Sequence, residues 1–189
     1  MSIWYPAIGR RELPALVGIT VFGAVLAGAY GALHDQVSYT ISPEYFTKMK
    51  FRQFAWADFG LPERVFVAEI GFLASWWAGL IAGWLLARLG LAQLWLAGER
   101  RRAATAVAIL LLVVALSGAA GAGVGAAVAY GGPLDDWRGW GAYIDDLPAF
   151  VVVAHLHWGS YAGALVGTLA ALAYVRVVCD RRHKVQQRG

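Results

Sequence analysis

The sequence lacks the features of a disulfide-bonded, nucleotide-binding or nucleophile-dependent domain. It has one cysteine, Cys179, so no disulfide can form within the chain. No β-strand is predicted, so no glycine-rich phosphate loop follows one. Ser160 lacks the sequence context of a catalytic nucleophile, and Cys179 is expected on the wrong face for one. Charge is also scarce: 15% of the 189 residues are charged and 59% are hydrophobic, which is unusually apolar for a soluble domain of this size.

Four of the six prolines lie at the edges of four long apolar runs. The runs cover residues 13–33, 65–87, 103–130 and 150–178. Runs of about 20 apolar residues are long enough to cross a bilayer as helices. A proline costs little at a helix end, and four lie at or just outside the ends of the runs: Pro14, Pro62, Pro133 and Pro148.

This pattern predicts an all-α membrane protein with four transmembrane helices in a bundle. The whole chain, residues 1–189, is expected to form one transmembrane domain. The connecting segments are expected to be two outer loops and one inner loop, at residues 34–64, 131–149 and 88–102.

The basic residues are distributed unequally between the two sides of the predicted bundle. If the chain crosses the membrane four times, 11 of the 16 Lys and Arg residues share the side of the termini, and nine of the 12 acidic residues lie on the other side. By the positive-inside rule, both termini are cytoplasmic. The net charge of +4 therefore reflects topology and predicts no nucleic-acid partner; the expected partner is the lipid bilayer.

The first apolar run has an alternative interpretation as a cleavable signal peptide. Arg10 and Arg11 precede it, and the small residues at 27–29 are compatible with a cleavage site. Its apolar stretch is longer than the usual core of a signal peptide, which favours a retained helix.

The first outer loop contains a segment that is predicted to form a short amphipathic helix. Ser42, Pro43 and Glu44 are typical of a helix start. Aromatic and basic residues are then mixed, among them Tyr45, Phe46, Lys48, Lys50 and Arg52. We expect this helix to lie in the outer interface and to cover the end of the bundle, with its rings toward the membrane and its amines toward water.

Small residues recur at four-residue spacing in the apolar runs, which allows helices to pack closely. The fourth run has Gly159, Gly163, Gly167 and Ala171, and the first has Gly23, Ala27 and Gly31. One further turn leads from these faces to His155 and to His34, so both imidazoles are expected to face the bundle interior. Small-residue faces are also compatible with a homo-oligomer or with a partner in a membrane complex.

Four ionisable residues are expected in one layer near the outer boundary of the membrane. Counting about 20 residues outward from the inner arginines places Glu69 and His155 at that depth, where the first run also ends in His34 and Asp35. Ionisable groups at membrane depth are costly and are therefore often functional.

Mixed imidazole and carboxylate groups suit a transition metal such as zinc, copper, iron or manganese. The candidate ligands are His34, Asp35, Glu44, Glu69, His155 and His157. His157 lies about 200° around the helix from His155, so the helical-face argument favours His155. Haem held between His34 and His155 ranks lower, because the neighbouring carboxylates suit it poorly and such haems usually lie deeper between helices.

Residues 34–36 read His-Asp-Gln and residues 44–47 read Glu-Tyr-Phe-Thr. This pattern resembles an uncharacterised family of bacterial four-helix integral membrane proteins, and a weaker likeness continues at ASWWAGLIAG and AHLHWGSYAG. The resemblance implies a multi-pass protein of the bacterial cytoplasmic membrane. It also implies that the two motifs and the His155/His157 pair belong to a family pattern, and it implies no particular activity.

The polar layer supports two hypotheses about function. In the first, it is an outer-facing metal or cofactor site with redox or hydrolytic chemistry. In the second, the protein is a non-enzymatic structural or accessory subunit, in which a His–Asp hydrogen bond between the first and fourth helices locks the bundle. Lipid, quinone or proton handling is a further alternative.

Overall fold

A computed structural model describes residues 9–187 and contains four long helices. They are α1 (Leu13–Ile41), α2 (Glu63–Leu86), α3 (Arg100–Gly131) and α4 (Leu147–Gln186). All four are long and apolar enough to cross a membrane, and no strand occurs within residues 9–187. The predicted all-α membrane bundle is therefore confirmed.

Helix α1 continues to Ile41, well beyond the predicted end of the first span at residue 33. Its polar last turns bond to their own backbone: the Ser38 hydroxyl donates to the His34 carbonyl and the Thr40 hydroxyl donates to the Gln36 carbonyl. The chain therefore stays helical while its composition turns polar. As a result, His34 and Asp35 lie inside the helix instead of at its end.

The loop after α1 folds over one end of the bundle, which we call the His34 end. A π-helical turn at Tyr45–Lys50 is followed by short helical turns at Phe51–Gln53 and Ala55–Ala57. Tyr45 and Phe46 are buried against Phe150 and Val153 of α4, so the segment covers the bundle as predicted. The amine of Lys50 does not point to water: this residue is only 5% exposed.

The opposite end, the Arg100 end, is closed by the segment after α2. That segment forms a π-helical turn at Ala87–Leu91 and a short helix at Ala92–Leu96, where a loop was predicted. Gly90 takes a left-handed φ of 139°, which few other residues adopt readily. Leu94 is fully buried in a cluster that includes Val175 of α4, so the segment belongs to the core.

The four helices form two tight pairs, α1 with α2 and α3 with α4. Glycines set the spacing in both. A Cβ atom on Gly31 would collide with the Gly71 carbonyl in the first pair, and one on Gly125 would lie 2.9 Å from the Val152 Cα in the second. Close backbone approach through small residues is the usual way in which transmembrane helices associate.

The two pairs meet mainly near their ends, and a cavity of about 620 Å³ lies between them. Its walls are apolar, from Ile19 near the Arg100 end to Tyr30 near the His34 end. Polar side chains are concentrated at the His34 end of the cavity. Lining residues such as Phe22 and Leu165 are also exposed, so the cavity opens sideways onto the surface that faces lipid.

Candidate metal centre

Three ligand-type side chains converge at the His34 end of the cavity. His34 and Asp35 come from α1 and His157 comes from α4. Asp35 Oδ1 lies 3.2 Å from His34 Nδ1 and 3.2 Å from His157 Nε2. One ligand atom from each residue lies within 4.8 Å of the other two, and both Asp35 and His157 are buried.

The remaining nitrogen of each imidazole already has a partner. His157 Nδ1 lies 2.9 Å from the Val153 carbonyl, which only accepts, so Nδ1 carries the proton. His34 Nε2 lies 3.1 Å from Ser160 Oγ. When His34 is neutral and donates to Ser160, and His157 is neutral with its proton on Nδ1, both imidazoles direct an unprotonated nitrogen at Asp35. Outer hydrogen bonds of this kind orient the histidine ligands of metal sites.

Aromatic rings hold His157 in place. Tyr45 stacks on its imidazole with ring centroids 4.8 Å apart, and the His34 ring meets it edge-on at 4.8 Å. Burial raises the pKa of Tyr45, so its hydroxyl remains protonated at neutral pH. The π-helical turn after α1 therefore provides a rigid aromatic cover over the site.

The structure places the other predicted ligands elsewhere. Both carboxylate oxygens of Glu44 accept backbone N–H groups, from Asp145 at 3.1 Å and from Asp146 at 2.8 Å. Glu69 is partly buried, and its Oε2 atom has no hydrogen-bond partner among the described residues. Neither Glu44 nor Glu69 joins the His34, Asp35 and His157 group.

The structure reverses the preference for His155 over His157. His155 Nδ1 bonds to the Val151 carbonyl, and its ring packs on Trp158 at a centroid distance of 4.9 Å. It lies on the glycine face of α4, and that face packs against α3. His157 points the opposite way, across the cavity to α1. The glycine face of a helix packs against its paired helix. The prediction assumed that this face points to the interior of the bundle.

Residues that the sequence analysis did not select complete the site. Ser160 follows His157 by three positions, and Ala164 and Thr168 continue the same helix face and line the cavity. The three- and four-residue spacing of this series could have indicated the face of α4 that lines the cavity. Lys50 gave no such signal, because its inward direction depends on the π-helical turn. Turns of this type often occur at functional sites.

Lys50, a buried residue, places its amine beside the cluster. Its Nζ atom lies 6.0 Å from the Tyr45 ring centroid and 5.7 Å from that of Phe54. The amine forms no ion pair within 4.0 Å and no hydrogen bond with any residue from 9 to 187 that the structure describes. Burial lowers the pKa of Lys50, although the negative charge of Asp35 opposes that shift.

The convergence of acceptor lone pairs defines the chemistry of the cluster. Two imidazole nitrogens face one carboxylate, and Asp35 Oδ2 is buried with no hydrogen-bond partner among the described residues. Buried acceptors without a shared proton or cation between them repel one another. Ligands about 2.0 Å from a tetrahedral metal ion lie roughly 3.3 Å apart, which fits both Asp35–His distances. From a separation of up to 4.8 Å, the two imidazole nitrogens would need to approach each other by up to roughly 1.5 Å to share that ion.

Comparison with protein-family models, with curated proteins and with solved structures finds no match to this chain. A proposal about function therefore depends on the geometry of the His34, Asp35 and His157 cluster.

Proposed function

We propose that the protein is a multi-pass membrane protein that binds a transition metal ion through His34, Asp35 and His157. One observation carries the proposal: two imidazoles oriented by outer hydrogen bonds and a buried carboxylate bring one ligand atom each to within 4.8 Å of one another. Two imidazoles and one carboxylate form a ligand set used for zinc and for non-haem iron, and also suit copper and manganese. Three protein ligands leave a coordination position for a further group.

The charge distribution supports an orientation for this site. The Arg100 end carries most of the basic residues and the His34 end carries most of the acidic ones. We therefore infer that both termini are cytoplasmic and that the metal centre faces the outside of the membrane. The likeness of residues 34–36 and 44–47 to a bacterial family supports placement in the bacterial cytoplasmic membrane.

A second candidate function is supported by the bond between Asp35 and His157. This contact links α1 to α4, and so connects the two helix pairs across the cavity. In this alternative the polar cluster is a structural lock in a non-enzymatic membrane protein. A hydrogen bond between transmembrane helices typically contributes about 1 kcal/mol, so the lock alone predicts a modest effect.

Elemental analysis separates the two functions. The protein is purified without a chelator or a histidine tag, in the wild-type form and as His157→Ala and His155→Ala variants. We expect near-stoichiometric metal in the wild type, retention in His155→Ala and loss in His157→Ala, because His157, unlike His155, directs a ring nitrogen at Asp35. His155→Ala is a matched control, since it removes an imidazole two residues away on the same helix.

The structural lock predicts a different result. All three forms would then lack metal, even after incubation with each of the four candidate ions, and His157→Ala would lower the unfolding temperature more than His155→Ala. That outcome would reject the metal centre. Equal metal content in His157→Ala and the wild type would also reject it.

A further inference from the structure

The cavity has the shape of a channel for one apolar chain. It extends along α1 from Ile19 to His34, which corresponds to roughly 22 Å at the helical rise per residue. This length exceeds half of the hydrocarbon thickness of a bilayer, roughly 15 Å. A volume of about 620 Å³ lies within the range of pockets that hold small ligands, about 300–1,000 Å³.

The polar end of the cavity contains an amine as well as the Asp35 carboxylate. Lys50 lines it, is 95% buried because its exposed fraction is 5%, and has no acceptor for its amine among the described residues. The hydroxyls of Ser160 and Tyr161 line the same end and add donors. An amine that lines a largely apolar cavity without an acceptor is costly, so this geometry favours an anionic group within reach of Nζ.

The size of the polar end restricts the anion. Asp35, Lys50 and His157 are each at most 5% exposed, and Tyr45 covers them from the loop. A compact carboxylate suits this enclosed end better than a glycerophosphate headgroup. One chain suits the channel better than the two chains of a phospholipid.

We propose that the cavity binds a long-chain fatty acid, with its carboxylate on the Lys50 amine and its chain between the two helix pairs. The chain enters from the lipid-facing side, past Phe22 and Leu165. The site adjoins the proposed metal centre but does not require it, because Lys50 supplies the positive charge. A metal ion held by Asp35 and the two imidazoles would add positive charge and strengthen binding.

Tryptophan quenching tests the proposal on the full-length protein in detergent micelles. Trp77 lines the cavity, so dibromostearic acid bound there quenches its fluorescence. The Trp77→Phe variant identifies the contribution of this residue among the nine tryptophans. We expect saturable quenching by the acid and at least tenfold weaker quenching by its methyl ester, which has the same chain and no charge.

Two lysine variants and a lipid refine the test. Lys50→Gln should weaken the binding of the acid at least tenfold. Lys48 is an exposed neighbour, so Lys48→Gln should leave binding of the acid unchanged. Metal content should stay the same in both variants, which separates this proposal from the metal centre. Equal binding of acid and ester to the wild-type protein would overturn the proposal without any variant. Equally strong quenching by a brominated two-chain phospholipid would overturn the assignment to a fatty acid.

Discussion

At the scale of single residues, Glu44 is a structural contact between two loops. Its carboxylate accepts the N–H groups of Asp145 and Asp146, directly before the first residue of α4. The N-terminus of a helix carries a partial positive charge that favours a carboxylate. These hydrogen bonds lower the pKa of Glu44 from its ordinary value of 4.5.

A depressed pKa makes the contribution of Glu44 dependent on pH. The carboxylate stabilises the fold fully above its ordinary pKa, and this stability is lost as the pH falls through the lower pKa of the folded state. We expect Glu44→Gln to lower the free energy of unfolding by about 1 kcal/mol at pH 7, since Glu44 is partly exposed and solvent screens its charge. Denaturation in detergent between neutral pH and pH 3 measures the effect.

The control for this experiment is Asp136→Asn, which removes an exposed carboxylate from the same end of the molecule. Its free energy of unfolding should stay within about 0.5 kcal/mol of the wild type. The difference between Glu44→Gln and the wild type should shrink toward zero in acid. A difference that stays constant down to the acid limit would show that the loop contact does not depend on the charge.

Some residues of the candidate site could be predicted from the sequence and others could not. His34 and Asp35 could be predicted because ionisable side chains at the end of an apolar run are rare and costly. His157 was ranked below His155 because each helix was treated as facing one common interior. In a bundle of two tight pairs, the glycine face and the cavity face of a helix differ. Sequence periodicity identifies both faces without saying which one carries the site.

At the scale of elements, the pairing of α3 with α4 depends on close backbone contact at glycine. Gly121 packs on the His155 carbonyl and lies opposite Gly159, where an added Cβ atom would be 3.0 Å from its Cα. Gly123, two residues along, would place an added Cβ atom in open space. The two glycines therefore differ in packing and share the same helix.

This contrast gives a matched pair of variants. We expect Gly121→Ala to destabilise the protein by about 1–3 kcal/mol, because the new methyl group forces the helix backbones apart. Gly123→Ala should be neutral or stabilising by up to about 1 kcal/mol, because alanine favours a helix more than glycine does. Unfolding in detergent measures both, and equal destabilisation by the two substitutions would contradict the observed helix pairing.

Helix existence could be predicted better than helix ends. The four apolar runs and the edge prolines indicated α1 to α4, because lipid requires helical segments of a minimum length. The extension of α1 to Ile41 was missed because side-chain hydrogen bonds to the backbone support polar helical turns that hydropathy does not detect. The helical segment at 87–96 was missed for a different reason: Leu94 packs in the core, so tertiary contacts stabilise a stretch that is too short to be recognised alone.

At the scale of the whole molecule, two tight helix pairs joined near their ends leave a cavity between them. One end is held by the cluster around Phe46 and Phe150, and the other by the cluster around Leu94 and Val175. The proposed metal centre and the Lys50 amine both lie at the His34 end of this cavity. The direction from which a ligand arrives therefore depends on which end of the molecule faces the outside.

Cysteine labelling in intact bacterial cells determines this orientation. In a Cys179→Ala background, Asp136→Cys places a thiol in the exposed loop at the His34 end, and Ala97→Cys places one near the Arg100 end. Because basic loops are retained in the cytoplasm, a membrane-impermeant maleimide should label Asp136→Cys before lysis and Ala97→Cys only after it. The reverse pattern would place the proposed metal centre on the cytoplasmic side. With the expected pattern, a fatty acid would reach Lys50 from the outer leaflet, since the polar end of the cavity lies at that boundary and its apolar length extends inward.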